Sequence, residues 1–332
     1  MDTPYLIDWA ITNKCNLNCL HCRGMVSEEL DKESILKIAK EISTLSPRWI
    51  IIEGGEPLLQ KELFKIIEII FESNIKTYLI TNGMLFDEDW AKIFKKFNVN
   101  LMISVDGADK ESYEKIRKGA SFEKLKEAVA IANEYEILDS ALVTIFKHNK
   151  NQIAKLFQFI KELDFKKITF LGLKPCKDYE RYLLDRKEYK DLLFTIIENQ
   201  KKTEIDVYVD EPFFKAFLNE YKIKYFPNSQ SGIIVPDTSA CIFGEYIFIE
   251  TNGDIKPCTF APIAFGNVKE KSLKALWEDM KNSLFIKEIK DLKRKKKPCG
   301  ECKYLYECGG CISRIFYLTK DFSNPDPCCP LI

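Results

Sequence analysis

Three cysteines stand close together near the start of the chain, at positions 15, 19 and 22. Thiolates are soft ligands that favour iron–sulfur clusters or zinc. A 4Fe–4S cluster takes four such ligands. A local set of three, Cys15, Cys19 and Cys22, therefore leaves one iron open to a substrate or cosubstrate. An open iron on a reducible cluster suits the delivery of one electron to a bound molecule.

The cysteine triplet has two competing interpretations. A structural zinc site needs a fourth ligand, and His21 inside the triplet is poorly placed because zinc-finger ligands usually come as two separated pairs. Disulfides are disfavoured because the segment before Tyr5 lacks the apolar run of a signal peptide. Since a cytosolic compartment keeps thiols reduced, we expect a cytoplasmic protein with reduced cysteines.

A second motif, Gly54-Gly55-Glu56-Pro57, follows the apolar segment Trp49–Ile52. Taken alone, it could be a simple turn in which Pro57 starts a helix. One strand after the cysteine triplet, it resembles the opening of the radical S-adenosylmethionine (SAM) superfamily. In that family the turn binds the amino group of the methionine part of SAM. Glycines allow such close backbone approach, and exposed carbonyls with a nearby carboxylate attract an ammonium group.

Further residues of the predicted SAM site end the next two strand-like segments. Asn82 ends the third segment, and Ser104 and Asp106 end the fourth. In related enzymes a Ser and an Asp at such a strand end contact the methionine and ribose groups of SAM. Arg117 resembles an arginine that pairs with the SAM carboxylate, a bidentate task that suits a guanidinium. The alternatives are an ordinary turn at Asp106 and a surface helix position for Arg117.

Eight more cysteines lie in the last third of the chain and resemble the SPASM domain, an extension that holds two auxiliary iron–sulfur clusters. This chain has two residues rather than three between Cys308 and Cys311, a spacing familiar in the branch that includes haem-biosynthesis enzymes. Paired zinc sites are the alternative. The family interleaving assigns Cys241, Cys258 and Cys311 to an inner cluster, and Cys299, Cys302, Cys308 and Cys328 to an outer one. Cys329 competes with Cys328 as the last ligand, and the resemblance implies three 4Fe–4S clusters in all.

Cys176 remains outside both groups and is our candidate catalytic residue. It follows the sixth strand-like segment, where it could complete the inner cluster or donate a hydrogen atom near the substrate. A third possibility is a buried apolar role, the commonest fate of a free cysteine.

Strand and helix patterns alternate through the first half of the chain, which predicts repeated βα units and a parallel sheet. Six strands are too few for a complete eight-stranded barrel. The resemblance favours a partial (β/α)6 TIM-like barrel followed by a small cysteine-rich domain. We expect the barrel at residues 1–176, a bridging region at 177–240 and the cluster domain at 241–332. The predicted strands are Leu6–Ile11, Trp49–Ile52, Thr77–Thr81, Leu101–Val105, Ala141–Phe146, Ile168–Leu173 and, in the bridge, Ile205–Val209.

Composition excludes several partner classes. Lys and Arg total 50, as do Asp and Glu, so the net charge is zero. This balance gives no support for a nucleic-acid or membrane-surface role, and no apolar run approaches the ~18 residues of a spanning helix.

The resemblance implies reductive cleavage of SAM to a 5′-deoxyadenosyl radical, which abstracts a hydrogen atom from the substrate. It also implies a low-potential electron donor such as ferredoxin or flavodoxin. The expected substrate is a peptide or protein undergoing maturation, with a cofactor precursor such as a tetrapyrrole as the alternative. An iron–sulfur electron carrier without SAM chemistry is the alternative from another class, against which the SAM-type motifs argue.

Overall fold

A mostly parallel sheet of ten strands forms the centre of the molecule. The computed structural model describes residues 3–24, 28–176, 178–227, 232–235 and 241–332. The first six strands of the sheet pair in parallel, each with the next along the chain, and lie close to their predicted bounds. They are β1 (Leu6–Ala10), β2 (Trp49–Glu53), β3 (Lys76–Thr81), β4 (Val99–Ser104), β5 (Leu138–Ile145) and β6 (Lys167–Gly172).

Four later strands extend this sheet at both edges. On one side β7 (Asp206–Asp210) pairs in parallel with β6, and β8 (Ile233–Ile234) pairs with β7. On the other side β9 (Ile247–Ile249) pairs in parallel with β1, and β10 (Ile255–Lys256) is antiparallel to β9. Because the strand order ends at β8 and β10, the sheet of the described residues is an open, partial barrel. This confirms the predicted fold class.

Amphipathic helices connect the strands and cover the sheet. The first helix shows why they form: Asp31 caps its N-terminus by accepting a hydrogen bond from the Ser34 N–H, and its apolar residues recur at helical spacing and are buried. The helices are Lys32–Leu45, Leu63–Phe71, Glu88–Lys96, Lys110–Ile116, Phe122–Glu134, Ile153–Glu162, Tyr179–Tyr182, Arg186–Thr203, Phe214–Glu220, Leu273–Asn282, Leu284–Lys290, Leu305–Cys308 and Ile312–Thr319.

The parallel strands bring their carboxyl ends to one edge of the sheet, where sites lie in folds of this kind. The cysteine triplet follows β1, the Gly-Gly-Glu-Pro turn follows β2, and Asn82 follows β3. Ser104 is the last residue of β4, Asp106 follows it, and Arg117 lies at the end of the helix Lys110–Ile116. The predicted domain boundaries stay predictions, although the sheet itself continues across both of them. In the part of the chain that the structure describes, no helix is both long and apolar enough to cross a lipid bilayer.

Candidate functional site

The three N-terminal cysteines lie in the loop that follows β1. Cys15 and Cys22 are exposed and Cys19 is half-buried, and none of the three forms a disulfide. Cys19 pairs with Arg117 across a short antiparallel bridge. Burial raises the pKa of the Cys19 thiol to about 11. The loop therefore presents three unbonded thiols, one of them held against a buried cation.

The donors of this loop fit a cluster that takes three protein thiolates. The Leu17 N–H lies 3.4 Å from the Cys15 Sγ, and the Gly24 N–H lies 3.4 Å from the Cys22 Sγ. Such N–H donors favour the charged thiolate. Among the described residues, no three His, Cys, Asp or Glu side chains are already gathered around a metal position. The loop therefore fits an iron–sulfur cluster by the number of its thiols and by their chemistry.

The Gly-Gly-Glu-Pro turn packs directly against the start of the cysteine loop. The N–H groups of Gly55 and Glu56 donate to the carbonyls of Thr12 and Lys14, each at 2.8 Å. A Cβ on Gly54, whose φ is +150°, would lie 2.5 Å from the Thr12 oxygen, and a Cβ on Gly55 would lie 2.2 Å from the Lys14 oxygen. Both glycines are therefore required by the approach of the cysteine loop, a contact that sequence reasoning missed when it assigned them to a ligand alone.

Glu56 is fully buried, and its carboxylate is occupied by groups of the protein itself. It accepts hydrogen bonds from the Thr81 hydroxyl at 2.8 Å, the Asn82 N–H at 2.9 Å and the Leu58 N–H at 3.2 Å. Burial raises the pKa of Glu56, and these hydrogen bonds oppose the rise. The carboxylate therefore joins the ends of β2 and β3. Pro57 begins a short 3-10 turn, as the simple turn interpretation predicts.

Two amides fasten the cysteine loop to the neighbouring elements. The Asn82 side chain donates to the Asn16 Oδ1 at 2.8 Å and accepts from the Met84 N–H at 2.9 Å. The Gln60 side chain donates to the Ile11 carbonyl at 2.7 Å. Asn82 was predicted as a SAM contact, and the structure places it beside the loop where that contact would form.

Asp106 and Arg117, both predicted to face SAM, are buried against each other. The Arg117 Nε donates to the Asp106 Oδ2 at 2.6 Å, and the Thr144 N–H donates to its Oδ1 at 2.7 Å. The His21 Nε2 lies 3.3 Å from the same Oδ2, and the Arg117 Nη1 lies 3.9 Å from the Cys19 Sγ. Arg117 is thus a buried partner of the cysteine loop rather than a surface helix residue.

Sequence reasoning also missed an arginine directly after the triplet. The Arg23 guanidinium lies 3.0 Å from a carboxylate oxygen of Glu53 and 3.5 Å from one of Glu250. Glu53 is the last residue of β2, and Glu250 follows β9, so polar residues at strand ends were the available signal. Ser104, predicted for the SAM site, is the buried last residue of β4.

The predicted inner cluster cysteines lie within electrostatic reach of one another. Burial raises the pKa of Cys241 to about 12, and the charges of Cys311 and Cys258 add to the rise. The Ser313 hydroxyl donates to the Cys258 Sγ at 3.5 Å. The three thiols therefore lie near enough for the charges of Cys258 and Cys311 to act on Cys241, and their role as inner cluster ligands stays a prediction.

The adjacent cysteines Cys328 and Cys329 have thiols in different surroundings. Cys328 donates its S–H to the Leu184 carbonyl at 3.4 Å. Burial raises the pKa of Cys308 and of Cys329, the latter to about 11, and neighbouring thiols add to both shifts. The thiols that act on one another in this way are those of Cys299, Cys302, Cys308 and Cys329. The two thiols therefore have different surroundings, and which of Cys328 and Cys329 is the last outer ligand stays a prediction.

Cys176 lies in a small apolar cluster with Phe146, Tyr179 and Leu173. It is 8% exposed. Burial raises its pKa to about 11, and the charge of Cys22 adds to that rise. Cys176 therefore lies on the side of the first cysteine group, and its proposed catalytic and ligand roles stay predictions.

Known protein families match both the N-terminal region with the cysteine triplet and the C-terminal cysteine-rich region. Residues 9–160 match the model of the radical SAM superfamily, and residues 241–303 match that of the SPASM iron–sulfur cluster-binding domain. An AdoMet-dependent heme synthase of Methanosarcina barkeri is 26% identical over 340 residues, covering 99% of this chain and 97% of that protein. A cysteine-type anaerobic sulfatase-maturating enzyme of Clostridium perfringens is 26% identical over 335 residues, covering 90% and 85%.

Solved structures show the same fold. Streptococcus suis SuiB bound to the precursor peptide SuiA superposes with a TM-score of 0.77 at 18% identity, covering 98% of this chain and 75% of that one. The cysteine triplet lies within the radical SAM match, and the C-terminal cysteines up to Cys302 lie within the SPASM match. The chain is an enzyme of the radical SAM superfamily and carries a SPASM iron–sulfur cluster-binding domain.

Proposed function

We propose that this chain cleaves SAM reductively and removes a hydrogen atom from a precursor molecule bound at the carboxyl edge of the sheet. The observation that supports this most directly is the hydrogen-bonded contact between the cysteine loop and the Gly-Gly-Glu-Pro turn. That contact joins the three thiols to the backbone expected to bind methionine. A 4Fe–4S cluster with SAM at its open iron supplies the 5′-deoxyadenosyl radical for this reaction.

The residues of the chain divide the task of holding SAM. The thiols of Cys15, Cys19 and Cys22 hold the cluster. The carbonyls of the Gly54–Gly55 turn face the methionine ammonium, while Glu56 fixes that turn to the end of β3 and keeps it rigid. Ser104, Asn82 and the Asp106–Arg117 pair complete the cradle, in which Arg117 offers its remaining N–H groups to the SAM carboxylate.

The C-terminal cysteines hold two auxiliary 4Fe–4S clusters in this proposal, for a total of three. Cys241, Cys258 and Cys311 hold the inner one. For the outer one we propose Cys299, Cys302, Cys308 and Cys329. Clusters held by these cysteines would supply electron exchange with the substrate, and a ferredoxin or flavodoxin would be the electron donor of the enzyme.

The first candidate substrate is a precursor that carries carboxylates, such as a tetrapyrrole. The heme synthases support it because their similarity runs from end to end of both chains. At the carboxyl end of β5, exposed His148 packs on the rings of Phe146 and Tyr182. Burial lowers the pKa of His148, and the charges of Lys115 and Arg181 lower it further. The cations attract carboxylates, and the neighbouring rings offer an apolar surface to a flat molecule.

A peptide or protein side chain, as expected from the sequence, is the second candidate. The observation that favours it is the similarity of 26–27% to three sulfatase-maturating enzymes.

The proposed function predicts a specific anaerobic assay. With dithionite and SAM, the reconstituted protein should form 5′-deoxyadenosine slowly, and the true substrate should accelerate that formation several-fold. An iron tetrapyrrole should lose one carbon dioxide and two hydrogens for each propionate that becomes a vinyl group, whereas a peptide oxidised at a cysteine or serine side chain should lose two hydrogens in the radical step. A double variant, Lys115→Gln with Arg181→Gln, should raise the KM for the anionic substrate and leave substrate-free cleavage unchanged.

The matched control for this double variant is Lys202→Gln, an exposed cation paired with Glu198. Lys202 lies in the last turn of the helix Arg186–Thr203, which leads to the start of β7 and so to the opposite edge of the sheet. Acceleration by the peptide alone would refute the first candidate and support the second. No 5′-deoxyadenosine from a protein with full iron content would refute SAM cleavage itself.

The outer ligand set gives a second prediction. Cys329→Ala should lower iron and sulfide by about one cluster, four irons, because Cys329 lies among the other outer thiols. Cys328→Ala should keep the iron content, because that thiol bonds to the Leu184 carbonyl. Iron and sulfide analysis of both variants measures this, and a loss in Cys328→Ala with full loading of Cys329→Ala would reverse the assignment.

A further inference from the structure

Arg314 is completely buried and lies between two carboxylates. Its Nη1 and Nη2 each lie 2.8 Å from an oxygen of Glu211. Its Nε and Nη2 lie 2.8 Å and 2.6 Å from the two oxygens of Asp326. A guanidinium matches two carboxylates in this bidentate manner, and a lysine ammonium does not. Arg314 therefore ties two distant parts of the chain together.

Asp326 carries this contact to the cluster ligands. Its Oδ2 accepts a hydrogen bond from the Cys311 N–H at 2.9 Å, and its Oδ1 accepts one from the Cys328 N–H at 3.0 Å. The same carboxylate thus binds the guanidinium and the backbone of two cysteines. A substitution of Arg314 that shifts the Asp326 carboxylate therefore also changes the hydrogen bond that Asp326 accepts from Cys311.

Glu211 anchors the other end of the contact to the sheet. It directly follows β7 and is 4% exposed. It also accepts a hydrogen bond from the Tyr189 hydroxyl at 3.3 Å, and the Lys174 ammonium lies 3.5 Å away. A Cβ on Gly172, the last residue of β6, would lie 1.5 Å from a Glu211 oxygen. The end of β6 therefore carries no side chain, which leaves room for this carboxylate.

The buried group contains two cations and two anions beside Cys311. Asp326 accepts a hydrogen bond from the Cys311 N–H, and Arg314 binds both Asp326 and Glu211. Removing one member leaves an uncompensated charge in a site that water does not reach. Because a cluster's reduction potential depends on nearby charge, each removal should alter the potential with a sign set by the lost charge.

We propose that Arg314 is a positioning residue of the inner auxiliary cluster, acting with Glu211 and Asp326 to hold Cys311 against the sheet and to set the charge around that cluster. This inference rests on the proposed function, in which Cys311 is a cluster ligand. In this proposal Arg314 acts through Asp326 and through its charge.

The test is an anaerobic redox titration of the reconstituted full-length protein, followed by electron paramagnetic resonance of the auxiliary clusters. Arg314→Gln should shift the inner cluster to a more negative potential, because a positive charge is lost. Glu211→Gln should shift it to a more positive potential. Arg314→Lys, which keeps the charge, should return the potential toward the wild-type value. Arg294→Gln is the matched control, since Arg294 is an exposed cation of the same domain, paired with Glu288.

If Arg314→Gln does not fold, Lys174→Gln and Glu211→Gln carry the test, because these two should shift the potential in opposite directions. Shifts of the same sign in all variants would overturn the proposal, as would unchanged potentials with full cluster content. Wild-type protein without auxiliary cluster signals would instead refute the proposed function on which the inference rests.

Discussion

Cys19→Ala is expected to abolish 5′-deoxyadenosine formation and to remove about one third of the iron, the share of one cluster in three. Cys19 is the half-buried member of the triplet and lies beside Arg117, so its loss removes one of only three local thiols. Iron and sulfide analysis, with 5′-deoxyadenosine measured by chromatography, checks both parts.

Cys328→Ala is the matched control for this variant, because its thiol lies outside both proposed ligand sets. It should keep iron content and SAM cleavage. Unchanged 5′-deoxyadenosine formation in Cys19→Ala would contradict the assignment of the SAM-binding cluster to this loop. Zinc as the dominant metal in the wild-type protein would contradict the iron–sulfur interpretation altogether.

Gly55→Ala is expected to destabilise the protein by about 3 kcal/mol or more and to prevent loading of the first cluster. The new Cβ would lie 2.2 Å from the Lys14 oxygen and 2.9 Å from the Asn13 oxygen, both backbone atoms. Backbone cannot rotate away as a side chain can, so the cysteine loop itself must move. Chemical denaturation measures the stability, and absorbance near the iron–sulfur charge-transfer bands measures the loading.

Gly24→Ala provides the contrast, because a Cβ there meets no atom of the described part of the chain within 4 Å. This substitution should lower the free energy of unfolding by only about 1 kcal/mol, because alanine disfavours the backbone angle φ +75° at this position. Equal effects of the two substitutions would show that conformational strain, and not the packed contact between the turn and the cysteine loop, explains the requirement for glycine.

Much of the sheet could be predicted because its strands are long apolar runs separated by helical patterns. All six predicted barrel strands are present, and the bridging strand at 205–209 appears as β7. The three remaining strands could not be predicted. Ile247–Ile249 is three residues long, and β8 and β10 have two residues each, so each depends on a partner from a distant part of the chain. Local pattern carries no information on such pairings.

In the candidate site, too, the residue types could be predicted from the sequence, whereas their contact partners could not. Sequence placed Asp106 and Arg117 at the SAM site separately, but their mutual hydrogen bond follows from the fold. Likewise Cys328 and Cys329 are indistinguishable as letters. They differ in their surroundings, because the Cys328 thiol donates to the Leu184 carbonyl and the Cys329 thiol is affected by the charges of Cys299 and Cys302. Glu211 and Arg314 were not singled out, since a buried ion pair joins positions with no common motif.

The pairing of β9 with β1 has a consequence for how the chain reaches its final state. Ile7 aligns with Ile247 and Trp9 with Ile249, so β1 gains its second neighbour in the sheet only after the more than 200 residues between them have been synthesised. Until then β1 is an edge strand with unpaired backbone groups, a recognised hazard for aggregation. Such distant pairings also form late in folding. A shortened protein that ends before β9 would leave that edge permanently open, next to the loop that carries the first three cysteines.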